Sequence, residues 1–265
     1  MDILNNYLEV AVKSAREAGA YLLEHFNEKR NPIYKSKFDV SLPVDKGSEK
    51  IILKNIQASF PSHNIYSEEI GSINYEGVFT WHIDPLDGTN NYFVGIPYFS
   101  VSIALLQNGQ PIVGVVYNPI SNQLFTAAKS KGAFLNGEAI IRRKKNNEIY
   151  SVLSFIRGHS NSGKNTEEIL ADEIEQILSG KFSRVLKMWA PSLDWCLLAL
   201  GRIDALVSYE SEFEDMFAGL LIAQEAGVDV CNFNGKSYNR GDRKIIASNE
   251  YFTNDVIELL DPYSK

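Results

Sequence analysis

The chain has 265 residues, 45% of them hydrophobic and 22% charged, enough apolar material for one large domain or two intimately packed halves. A net charge of -7 and a pI near 5.2 exclude the bulk basic field that holds nucleic acid or an anionic membrane. No apolar run approaches the roughly 18 residues of a membrane span.

Leu4, Leu8, Val12, Ala15, Gly19, Leu22 and Phe26 recur at helical spacing and predict an opening amphipathic helix. The residues before it lack a basic segment followed by an apolar core, so no signal segment and a cytoplasmic location are expected. After a polar loop with Pro32 and Pro43, a second helix is expected to begin after Asp45, with Asp45 near its N-cap, and to end at Pro61. Strands are expected at Asn64–Tyr66, Phe79–Asp84, Ser100–Leu106, Ile112–Tyr117 and Leu124–Ala128, with turns at Asn108-Gly109 and Asn136-Gly137.

The basic, polar run Arg142–Asn147 reads as a seam between halves at 1–145 and 146–265, or as a solvated hairpin tip. Beyond it, helical patterns at Thr166–Leu178, Pro191–Leu200, Asp215–Glu225 and Thr253–Leu260 alternate with strands at Ser151–Phe155, Asp204–Tyr209 and Lys244–Ala247. Strand-rich followed by alternating segments predict a layered α/β fold rather than a nucleotide-binding doubly wound sheet. Cys196 and Cys231, with no CxxC spacing, are expected as buried free thiols.

The segment Trp81-His82-Ile83-Asp84-Pro85-Leu86-Asp87-Gly88-Thr89-Asn90-Asn91 carries the chemistry. A strand delivers Asp84 to its end, Pro85 cannot extend the ladder, and Asp87 follows three residues on, across a turn. Gly88 permits close backbone approach, and Thr89 and Asn90 suit the first turn of a short helix, whose amides attract anions. Carboxylates beside an anion site repel a phosphate unless a cation sits between them. Two carboxylates ~4 Å apart repel by about 4 kcal/mol at an effective dielectric of ~20, so clustered acids here imply bound cations. All-oxygen donors favour magnesium, with manganese as a substitute, over zinc. His25, His63, His82 and His159 offer no zinc-ligand spacing, and His82 reads as structural.

The string Asp84-Pro-Leu-Asp-Gly-Thr89 after a Trp-containing strand resembles the signature of the inositol monophosphatase family, closest to members of the archaeal inositol monophosphatase/fructose-1,6-bisphosphatase type. Ser67-Glu68-Glu69 resembles the family's paired glutamates, and Asp215 through Gly227 resembles its C-terminal motif. The resemblance implies a layered α/β/α/β/α sandwich of the inositol monophosphatase/fructose bisphosphatase type, and a homodimer. It implies one metal on Glu68, Asp84 and the Leu86 carbonyl, a second on Asp84, Asp87 and Asp215, and a third near Glu68. The implied nucleophile is a metal-activated water, with Glu68, Thr89 and Asp45 catalytic and Thr89 pairing with Asp45. The Gly88 and Thr89 amides would bind phosphate. The implied activity is magnesium-dependent hydrolysis of a small sugar or polyol phosphate monoester, inositol 1-phosphate or fructose 1,6-bisphosphate. The alternatives are a 3'-phosphoadenosine 5'-phosphate phosphatase and a weakly catalytic regulatory member.

Several positions depart from the family pattern. Between Asp39 and Asp45, Leu42 and Pro43 replace the usual Val-Thr-containing run, and Glu214 stands where Trp is usual. Among the positions aligned with substrate contacts, Trp189-Ala190 replaces a Gly and a hydroxyl residue, and Ser208 replaces a glutamate. Arg157, Arg184, Lys187 and Arg202 are candidates for a second cationic contact.

Overall fold

The computed structural model describes residues 3–35, 40–142, 150–158, 165–211, 216–249 and 252–264. Asp39, His159, Glu214, Asp215 and residues 143–147 of the expected seam lie outside them.

Helix α1 (Ile3–His25) buries Tyr7, Ala11, Ala15, Ala18, Gly19 and Leu22, of which only Ala15, Gly19 and Leu22 belong to the expected stripe; Leu4, Leu8, Val12 and Phe26 pack partly buried beside it. Helix α2 (Pro43–Ser59) starts three residues earlier than expected, with Leu42 as N-cap. Pro43 fits the first turn, where a missing N–H goes unneeded. Asp45 is therefore the third helical residue, and its Oδ2 accepts the Leu42 N–H at 2.6 Å. A small ladder joins β1 (Ile33–Tyr34) to β2 (Val40–Ser41).

The first large sheet contains β3 (Asn64–Ser67), β4 (Gly71–Ile73), β5 (Phe79–Asp87), β6 (Ser100–Gln107), β7 (Gln110–Asn118), β8 (Gln123–Ala128), β9 (Ala133–Leu135) and β10 (Glu138–Ala139). Their order is β10-β9-β8-β7-β6-β5-β3-β4, antiparallel except for the β3–β5 pair. Asn108-Gly109 and Asn136-Gly137 hold the positive φ that tight hairpins need.

Short helix α3 (Thr89–Val94) follows β5, and helices α4 (Asn165–Lys181), α5 (Pro191–Ala199), α6 (Phe217–Glu225) and α7 (Thr253–Leu260) occupy the second half. The second sheet contains β11 (Val152–Arg157), β12 (Arg184–Leu186), β13 (Ala205–Tyr209), β14 (Asp229–Asn232) and β15 (Lys244–Ser248). Its order is β12-β11-β13-β15-β14, with β11 parallel to both neighbours.

Strand alternation sorts side chains into three cores. On β6, Val101, Ile103 and Leu105 pack with α1 and α2, while Ala104 and Leu106 face α5 and α6. On β13, Leu206 joins the α5–α6 core, while Ala205, Val207 and Tyr209 join α4 and α7 on the far side. Helices α5 and α6 are apolar on nearly every side because both sheets cover them. The layers run α1–α2, first sheet, α5–α6, second sheet, α4–α7: the α/β/α/β/α sandwich expected. Cys196 and Cys231 are free and buried.

Candidate active site

The Asp84–Thr89 segment sits where β5 meets α3. Strand β5 does not end at Asp84. It bulges, so that Asp84 pairs with Ser102 and Asp87 with Ser100, and Pro85 and Leu86 bridge the irregularity. A bulge re-aims side chains without ending the strand, which keeps both aspartates on a rigid element. The Ser48 hydroxyl of α2 donates to the Pro85 carbonyl at 2.7 Å and fixes the bulge. Asp84 Oδ1 accepts the Leu86 N–H at 3.0 Å.

Gly88 has φ 93 and caps α3. A Cβ on it would lie 3.1 Å from the Tyr98 carbonyl and 3.2 Å from the Ala190 methyl. The residue is glycine both for its backbone and for its neighbours.

Asp87 is buried and faces the start of α5. Its Oδ2 accepts from the Ser100 hydroxyl at 2.8 Å, and the Ser192 and Leu193 amides also donate to the carboxylate. Burial pushes Asp87 up to about 7, helped by neighbouring Asp194 and opposed by these donors.

Asp45 accepts from Leu42 N–H and, at 3.3 Å, from Ser41 Oγ, both on Oδ2. Its other oxygen, Oδ1, is buried with no hydrogen-bond partner. Burial raises Asp45 to about 7, with further upward pressure from Glu69 and Glu68. Glu68 and Glu69 share the Lys35 ammonium, at 3.0 and 3.2 Å. Burial pulls Lys35 down, but the two carboxylates outweigh it and raise the ammonium above its ordinary value.

The expected Thr89–Asp45 pair is not formed. Thr89 Oγ1 donates instead to the Leu86 carbonyl at 2.9 Å, tying the start of α3 back to the bulge. Ala190 and Ser208 are fully buried, and the Ser208 hydroxyl is paired with Ser211. Neither side chain opens onto a cleft. Arg157 and Lys187 are engaged by Asp172 and Glu175 of α4. His82 is buried against Tyr66 and Phe217, and burial lowers it to about 4, in keeping with a structural role.

Lys35 and Glu49 escape sequence reasoning. Glu49 is buried one turn after Asp45, and its Oε1 accepts from Ser67 Oγ at 2.5 Å and from Ile70 N–H at 3.2 Å. It therefore holds both ends of the turn that carries Glu68 and Glu69. The signal was the run of buried polar positions Asp45, Ser48 and Glu49 on one face of α2, which binary patterning marks as an exception.

Among the described residues no group of three or more His, Cys, Asp or Glu side chains converges for a metal ion. Asp215, assigned to the second metal, is not among them. The donor chemistry still fits a hard cation. The acids supply only oxygen, and Asp45 Oδ1 is a buried acceptor lacking a partner.

The family model described as the inositol monophosphatase family matches residues 3–264. The chain belongs to this family. An inositol monophosphatase structure from Anabaena superposes with a TM-score of 0.84 at 30% identity, covering 98% of this chain and 96% of that one. The fructose-1,6-bisphosphatase/inositol-1-monophosphatase of Aquifex aeolicus is 33% identical, over 99% of this chain and 98% of its own. A Nus factor SuhB from Xylella fastidiosa is 35% identical over 89% of this chain and 86% of that protein. Membership supports a phosphatase of this family. No helix among the described residues is long and apolar enough to cross a membrane.

Proposed function

We propose that the protein is a magnesium-dependent phosphatase that hydrolyses small sugar or polyol phosphate monoesters, inositol 1-phosphate or fructose 1,6-bisphosphate among them. The observation that carries this reading is the bulged Asp84–Thr89 segment, its two aspartates buried on a rigid strand that the Ser48–Pro85 hydrogen bond ties to α2, the helix bearing Asp45.

Glu68, Asp84 and the Leu86 carbonyl would hold one ion, and Asp84, Asp87 and Asp215 a second, with a third near Glu68. Magnesium bound there supplies charge for the phosphoryl oxygens and an activated water for attack, without a phosphoenzyme. The remaining work falls to the chain itself. The Gly88 and Thr89 amides orient the phosphate at the start of α3. Thr89 Oγ1 sits at the Leu86 carbonyl, ready to exchange that bond for one to the attacking water and pass its proton on. Asp45, raised to about 7 by burial, is the acceptor for that proton, and its Oδ1 has no competing donor. Rate then comes from positioning and charge stabilisation, as phosphoryl transfer demands.

The test is phosphate release from inositol 1-phosphate, fructose 1,6-bisphosphate, 3'-phosphoadenosine 5'-phosphate and glycerol phosphate, with magnesium and then with chelator. Magnesium-dependent release supports the reading, and the ranking assigns the substrate. Measurable metal binding without release from any ester favours the second reading, a weakly catalytic regulatory member. That reading draws on the closed Ala190 and Ser208 positions and on a relative named a Nus factor.

A further inference from the structure

Of the three tryptophans, Trp81 and Trp195 are fully buried, whereas Trp189 is 57% exposed. Its φ is 55°, in the left-handed region that bulky L-residues rarely adopt. Packing does not explain a large aromatic held at strained backbone and left in water, and strain of this kind collects at functional sites.

Its position is fixed from both sides by the Asp84–Thr89 segment and α3. Asn91 Nδ2 donates to the Met188 carbonyl at 2.7 Å and to the Tyr98 carbonyl at 2.8 Å. On the other side, the Ala190 methyl occupies the space beside Gly88, and Asp87 receives the Ser192 and Leu193 amides. Residues 188–193 are thus fastened onto residues 87–91, with Trp189 exposed among them. At the two positions aligned with polyol contacts, Ala190 offers a methyl, and Ser208 is turned to Ser211.

We propose that Trp189 is a specificity-determining residue. Its indole face stacks on an aromatic ring in the leaving group of a phosphate monoester, an aryl or nucleoside phosphate, whose phosphate lies at the Asp84–Thr89 turn. This rests on the phosphatase reading above and narrows its substrate class.

Since the other two tryptophans are buried, acrylamide quenching of fluorescence reports on Trp189. The wild-type protein is titrated with adenosine 5'-phosphate and, separately, with glycerol 2-phosphate, in calcium so that turnover is suppressed. Adenosine 5'-phosphate should shield the fluorescence from acrylamide and glycerol 2-phosphate should not. In magnesium, Trp189→Gly should lower the kcat/KM preference for phenyl phosphate over glycerol 2-phosphate by roughly ten-fold, mostly through KM, and Trp189→Phe should restore most of it. Trp189→Gly suits the local φ and should fold with an undiminished Tm. Equal shielding by both esters, or an unchanged preference in Trp189→Gly, overturns the proposal. So does shielding that follows protein concentration instead of ligand, which would mark an interface between copies. If no ester is hydrolysed, the phosphatase reading fails, while shielding by adenosine 5'-phosphate still decides the Trp189 contact.

Discussion

Gly88 carries two demands at one residue, a left-handed backbone and a neighbourhood with no room for a methyl. Gly88→Ala should destabilise the protein by roughly 2–4 kcal/mol, combining the conformational cost with the clash at Tyr98 and Ala190. Urea midpoints compare the two proteins, and a loss below about 0.5 kcal/mol would show that the turn relaxes freely. The glycine's role was legible in the sequence because Asp-Gly-Thr at a strand end leaves little alternative. The partner of Thr89 was not. Whether its hydroxyl reaches Asp45 or the Leu86 carbonyl depends on α2 and β5 coming together, and no local pattern records that. The start of α2 was legible but misread, since Pro43 suits the first helical turn better than Asp45 suits the cap.

At the scale of elements, α2 does more than cover the sheet. Its first two turns aim Asp45, Ser48 and Glu49 inward, and its later turns aim Ile52 and Ile56 inward. The polar half anchors the site through the Pro85 carbonyl and the Ser67–Ile70 turn, and the apolar half anchors the helix. Glu49→Ala removes the acceptor from a buried hydroxyl and an amide, at a cost of about 1–3 kcal/mol. It should also weaken magnesium binding, because the turn bearing Glu68 loosens. Glu49→Gln keeps an acceptor and should recover most of both. Calorimetric magnesium titration of the two variants checks this; equal loss in both would assign the effect to charge rather than position. The long helices and central strands were legible from periodicity. Strands β4, β9, β10, β12 and β14 have two to four residues, too few to carry a period.

At the scale of the whole molecule, three cores in five layers bury several acids that strand alternation alone would make apolar. Asp194, on α5 between the sheets, accepts from Tyr98 and Ser154 hydroxyls at 3.0 and 2.6 Å. Burial raises it to about 6 despite those donors. With the folded value above the unfolded one, its stabilising contribution is complete below about pH 4 and is lost as pH rises through 6. Metal-free protein should therefore lose stability between pH 4 and 6, by up to about 3 kcal/mol from this residue. Asp194→Asn should flatten that slope, as urea midpoints at pH 4.5 and 6.5 would show; an unchanged slope would mean that Asp194 ionises freely. The layered class was legible from strands followed by alternating segments. The parallel pairing of β11 with β12 and β13 was not, because it is set by crossovers and not by local pattern.

In the proposed function the bulged aspartates of β5 hold the ions that act on phosphate, and Asp84, shared by both ions, bears the heaviest share. The most direct test is magnesium-dependent phosphate release by Asp84→Asn beside the wild type, on protein shown by circular dichroism to be folded. A loss of roughly a hundred-fold or more with the fold intact is expected. Activity within a few-fold of wild type would contradict it and move the chemistry away from this strand.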